Sequence, residues 1–172
     1  MRNFTVRHLT MGAVLAAVYA ALTLFLPIPQ YGAVQIRFAE ALMVLPCVFP
    51  WATPGLVVGC VIANLNSPYA LDVIFGSGAT LLACLWTARM TNVRLAALPP
   101  VVCNAVIVGA EITVLEVGMT EAFWPAFAWN AVTVGLGEAV ACNLLGGLLL
   151  GVVRRTPALR AMIPTQRQER LW

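Results

Sequence analysis

Arg37 and Glu40 stand three residues apart at the mouth of an apolar segment, Gln35-Ile36-Arg37-Phe38-Ala39-Glu40-Ala41-Leu42. On a helix that spacing puts both side chains on one face. In a soluble protein the pair would be a solvated contact. In a greasy segment, ionisable groups are expensive and face a cavity or each other. The pair either lines a polar cavity or anchors a helix end, where long side chains reach water. The apolar surroundings favour the cavity. More polar groups are scattered through the other apolar runs: Asn64, Asp72, Asn130, Glu138 and Asn143, with Asn104 and Glu111 seven apart and so on one helix face. Buried Glu40, Glu111 and Glu138 need partners. Several acids against few bases suit a cation or a donor-rich molecule. For Asn104 and Asn143 a hydrogen bond between helices is an equally good role. Phe38, Phe75, Trp124 and Trp129 could stack on a planar ring, although for the two tryptophans the interfacial aromatic belt is the simpler role.

Catalysis finds little support. His8 is the only histidine, and Ser67 and Ser77 are the only serines. A serine hydrolase would need Ser and His together within the helices. A metalloenzyme would need more ligands at the right spacing. Cys47, Cys60, Cys84, Cys103 and Cys142 occur singly, without CxxC spacing, and read as small buried hydrophobes. No catalytic residue, metal or cofactor is expected.

The elements that position these residues follow from composition. Of 172 residues, 61% are hydrophobic and 10% charged, and the mean hydropathy is +0.89. Soluble domains carry about 25% charged residues, so this is an all-α integral membrane protein. Residues 1–172 read as one membrane domain with helices at about 6–26, 38–49, 54–63, 73–88, 100–117 and 127–153. No soluble ATPase module fits, so an ATPase would be another chain. The first run is long and lacks the polar stretch that follows a signal cleavage site.

All ten basic residues are arginine. Arg2 and Arg7 precede the first run, Arg89 and Arg94 lie mid-chain, and Arg154, Arg155, Arg160, Arg167 and Arg170 follow the last run. Six crossings place all of these on one side, which the positive-inside rule makes cytoplasmic together with both termini. The net charge of +3 thus reports orientation, with no nucleic acid implied. The tail, 154–172, is expected to lie on the anionic inner leaflet. Pro46, Pro50 and Pro54 make the second and third helices irregular. Each is too short for about 30 Å of hydrocarbon at about 1.5 Å per residue, so extended ends complete the crossing or the two form a re-entrant hairpin. Ala13, Ala17 and Ala21 repeat every four residues on helix one, a smooth strip that permits close helix approach. It serves either a partner chain or packing within the protein. In this topology the acids collect toward the outer half, giving a pocket open to the outside and apolar below.

Three blocks then carry a resemblance: Gln35 to Leu42, Gly59 to Asn64, and Asp72-Val73-Ile74-Phe75-Gly76-Ser77. Across roughly residues 6–153 the chain resembles the QueT family of queuosine-precursor transporters, which are substrate-binding S components of energy-coupling factor (ECF) transporters. The resemblance implies an S-component-like bundle of six helices and an outward pocket. Its implied ligand is 7-aminomethyl-7-deazaguanine or a related deazapurine. Its implied partners are a transmembrane coupling subunit, docked on the alanine strip, and two ATPase subunits. The candidate substrate-binding set is Arg37, Glu40, Asn64, Asp72, Phe75, Glu111, Asn130 and Glu138. The chemistry is compatible. A guanine-like ring offers neighbouring N–H and amine donors to one carboxylate. The aminomethyl cation wants a second carboxylate, and an amide such as Asn130 could serve the ring carbonyl. Four other readings remain open: an S component for another vitamin, a stand-alone carrier coupled to protons, a membrane enzyme, and a purely structural subunit. The last would not need the polar cluster.

Overall fold

The computed structural model describes residues 5–168. Arg2, Arg170 and the end of the tail lie outside the described residues. Every regular element among the described residues is helical, as lipid requires of backbone that must satisfy its own hydrogen bonds. Helix α1 is Val6–Phe25, α2 is Thr53–Asn64, α3 is Phe75–Arg89 and α4 is Leu98–Val117. The last long rod runs from α5, Phe123–Ala139, through a π-helical turn, Val140–Leu145, into α6, Gly146–Arg155. Two short helices follow, α7 at Pro157–Arg160 and α8 at Thr165–Gln168.

Four stretches are long and apolar enough to cross a bilayer: Val6–Phe25, Ala70–Arg89, Val93–Val117 and Phe123–Arg155. They correspond to the helices expected at 6–26, 73–88, 100–117 and 127–153. The last begins one turn earlier than its apolar pattern suggests. Pro99 and Pro100 occupy the first turn of α4, where a missing N–H costs nothing.

The segment expected at 54–63 is α2, Thr53–Asn64, whereas the one expected as an α-helix at 38–49 differs from that expectation. The latter is a ten-residue 3-10 helix, Phe38–Cys47, far longer than most such helices. At about 2.0 Å per residue it spans only ~20 Å. Helix α2, at about 1.5 Å per residue, spans ~18 Å. Neither crosses the bilayer by itself. The 3-10 helix is buried from Ala39 to Cys47 and packs against α1, α3, α6 and the π turn. A thinner coil fits where a full α-helix would be crowded. Its side chains eclipse every third residue, so Arg37 and Glu40 still share an edge.

Packing between α1 and α2 depends on missing side chains. A Cβ on Gly55 would lie 2.3 Å from the Gly12 carbonyl oxygen, and one on Gly59 would lie 2.7 Å from the Ala16 oxygen. Small residues at four-residue spacing let the two backbones touch, and packing is what holds helices together in lipid. Gly55→Val is therefore expected to force the helices apart and cost at least about 1–3 kcal/mol of stability. A thermal unfolding curve in detergent checks this, and an unchanged midpoint would show that the contact is not needed.

Residues 157–168 turn back against the bundle. Ile163 is buried in the core, with Leu159 and Met162 packed beside it. Arg167 donates through Nη1 to the carbonyls of Pro46 (3.1 Å) and Cys47 (2.9 Å). The last carbonyls of a helix have no partner within it, and a guanidinium is well suited to fill that need. The five cysteines are free and buried, as expected.

Candidate functional site: a buried polar chamber

The 3-10 helix carries its polar end toward the end of the bundle opposite the arginines. The preceding loop, residues 27–36, folds over it. Ile36 N–H donates to Pro29 O at 3.0 Å, and Tyr31 O–H donates to the Ala63 carbonyl at 2.8 Å. Burial pushes the Tyr31 phenol above its ordinary pKa, so it remains a donor. The Arg37 guanidinium lies over the Tyr31 ring, 4.9 Å from its centroid, within cation–π range.

Arg37 is the centre of the chamber and only 5% exposed. Its Nε donates to Gln30 O at 2.7 Å. Nη1 stands 3.9 Å from Glu40 Oε1, and Nη2 stands 3.8 Å from Asp72 Oδ2. Both distances exceed a hydrogen bond, so the cation is held between two acids without closing on either. Glu40 Oε1 accepts from the Tyr19 hydroxyl, while its Oε2 has no partner. Asp72 Oδ2 accepts from Ser67 Oγ. The backbone oxygen of Asp72 takes Asn64 Nδ2 at 2.9 Å, and that same nitrogen lies 3.3 Å from Ser77 Oγ.

Three further groups face this ion cluster. Glu111 on α4 lies beside Asp72, is 5% exposed, and has no hydrogen bond to either oxygen. Glu138 on α5 is buried and interacts with Glu40. Its Oε2 accepts from the Cys142 thiol at 3.8 Å. Asn104 interacts with both Glu40 and Glu138, but its Nδ2 makes no hydrogen bond. The loop adds Gln30, with both amide atoms unpartnered, and Gln35, with its Oε1 unpartnered. Gly137 lets the loop come this close: a Cβ there would lie 2.0 Å from the Gln35 carbonyl. Buried polar groups in native proteins are nearly always bonded. So many orphans in one cluster call for water or a ligand. Four carboxyl groups, Glu40, Asp72, Glu111 and Glu138, share one guanidinium, and charge balance calls for cations or donors.

The structure thus brings together Arg37, Glu40, Asn64, Asp72, Glu111 and Glu138. It leaves two sequence candidates elsewhere. Asn130 Nδ2 donates to Thr113 Oγ1 (3.0 Å) and Glu116 Oε2 (2.8 Å), bridging α4 and α5. Phe75 is 46% exposed at the start of α3. Conversely Asn104, equally readable as a helix bridge, faces the chamber, whereas Asn143 is exposed and bonds its own helix at Ala139 O, 3.0 Å. Tyr19, Gln30, Gln35, Ser67 and Ser77 were not foreseen. Tyr19 had a signal: it belongs to the buried face Gly12, Ala16, Tyr19, Ala20 and Thr23, at helical spacing. Ala13, Ala17 and Ala21 occupy the exposed side of α1.

The family model described as QueT transporter matches residues 9–155. The chain belongs to the QueT transporter family. That match covers the first crossing stretch from residue 9, the other three in full and every residue of the chamber, so the chamber sits within a multi-pass membrane transport protein, in a family of transporters and not of enzymes. Comparison with curated proteins and with solved structures returned no match. QueT membership implies a membrane transporter with a small-molecule substrate.

Proposed function

We propose that this chain is the substrate-binding S component of an ECF importer for a queuosine precursor, 7-aminomethyl-7-deazaguanine or a related deazapurine. The observation that carries the reading is the set of unpartnered atoms around Arg37: Glu40 Oε2, both Glu111 oxygens and Asn104 Nδ2. They are acceptor-rich, with one amide donor, and so complement a ligand with several N–H groups, a carbonyl and a cation. In this reading the Glu111–Asp72 pair, two acids side by side, receives the aminomethyl cation. Glu138 and Glu40, with Asn104 between them, receive the N–H donors and carbonyl of the ring. The chamber opens to the outside, both termini are cytoplasmic, and the short segments at Phe38–Cys47 and Thr53–Asn64 complete six passes with their flanking chain. Mass spectrometry of small molecules released from the detergent-purified protein tests the ligand class. A deazapurine is expected, and an unrelated vitamin would replace this reading.

The exposed strip Ala13, Ala17 and Ala21 docks the coupling subunit, which joins two ATPase subunits. A bulky side chain there points away from the chamber. Ala13→Trp and Ala17→Trp should therefore abolish uptake and copurification of the ATPase partners, while ligand affinity stays within twofold. Retained partners with retained uptake would remove the docking role, and lost affinity would make the strip part of the core.

A further inference from the structure

A second groove lies at the opposite, basic end, between the last rod, the 3-10 helix and the turn joining α3 to α4. It is a cavity of ≈ 200 Å³. Arg94 and Arg154 are among its lining residues, and no acidic side chain among the described residues lines it. Arg94 makes no ion pair among the described residues. Its position in the turn Val93–Leu95, and that of Arg154 in the last turn of α6, put both at helix ends, where headgroups lie. The wall is formed by Gly147 and Gly151. A Cβ at either would meet nothing within 4 Å, so these glycines leave a channel and serve no packing contact. Beside the channel, Leu144 and Leu148 are more than half exposed, which makes the groove continuous with the apolar outer surface of the rod.

We propose that this groove binds one anionic glycerophospholipid, with its phosphate between Arg94 and Arg154 and an acyl chain along Gly147 and Gly151. Orientation alone asks only that arginines lie on this side. It does not ask for two lining one open channel. Basic pockets between membrane helices recognise lipid headgroups, and the open apolar wall selects a lipid over a free phosphate. The site is independent of what occupies the polar chamber.

The test is native mass spectrometry of the purified full chain, titrated with dioleoylphosphatidylglycerol or dioleoylphosphatidylcholine. One phosphatidylglycerol is expected to remain bound where phosphatidylcholine does not. Arg94→Glu and Gly147→Leu should each weaken it at least tenfold. The leucine enters empty space, so its lipid-free melting temperature should match that of the parent, and Arg94→Gln gives a second reading of the charge. Equal retention of the two lipids, or unchanged phosphatidylglycerol binding in these variants, would overturn the proposal. So would equally tight binding of glycerophosphoglycerol, which has no acyl chains. Loss of a copurifying polypeptide from Arg94→Glu with lipid binding intact would assign the groove to a protein partner and overturn it as well.

Discussion

Glu111→Gln should lose at least tenfold in ligand affinity, about 1.4 kcal/mol, with no loss of stability. The two effects separate because the carboxylate oxygens of Glu111 bond nothing in the protein, so the fold gains nothing from them. Its neighbour is another acid, Asp72. Glutamine removes that repulsion and offers Asp72 a donor. The melting temperature should therefore stay level or rise. Calorimetry and a thermal unfolding curve read the two halves. Unchanged affinity would remove Glu111 from the site, and a collapsed fold would make it structural. Glu40, a binding candidate in the sequence, is a poorer probe: it is tied to Tyr19 and lies beside Arg37, so Glu40→Gln would disturb folding and binding together.

Arg37→Met should have the larger effect on folding, about 3–5 kcal/mol. Removing one partner of a buried ionic cluster leaves the others uncompensated. Here the loss touches Glu40, Asp72, the Gln30 carbonyl and the Tyr31 ring. Arg37→Lys should not restore the fold, since a single ammonium cannot serve these directions at once. Yield and melting temperature of the detergent-purified variants check both. A stable Arg37→Met protein would mean that water already screens these acids.

The ionic centre was legible because its signal is local. Three-residue spacing aligns Arg37 and Glu40 on a 3-10 helix as well as on an α-helix, so misreading the coil did no harm. The coil itself was not legible. Pro46 and Pro50 announce irregularity, but the choice of 3-10 geometry follows from crowding by α1, α3 and α6. Asn104 and Asn130 look alike, amides in apolar helices. Only the opposite helix decides that one faces two carboxyls while the other bridges to Thr113 and Glu116. Phe75 sits in a block resembling the family, yet the turn at Ala70–Val73 starts α3 with that ring outward. Tyr19 was hidden because an aromatic residue in an apolar helix reads as core. Its partner lies 21 residues away, on an element of unforeseen geometry.

Calorimetric titration of the purified protein with 7-aminomethyl-7-deazaguanine, and with the analogue in which a neutral nitrile replaces the aminomethyl group, tests the central claim most directly. Four carboxyls around one guanidinium predict saturable binding of the amine at one site, at least tenfold tighter than the nitrile. The preference should shrink in Glu111→Gln. Absence of binding by either compound, or equal affinity for both in the parent protein, would contradict the claim that the chamber holds a cationic deazapurine.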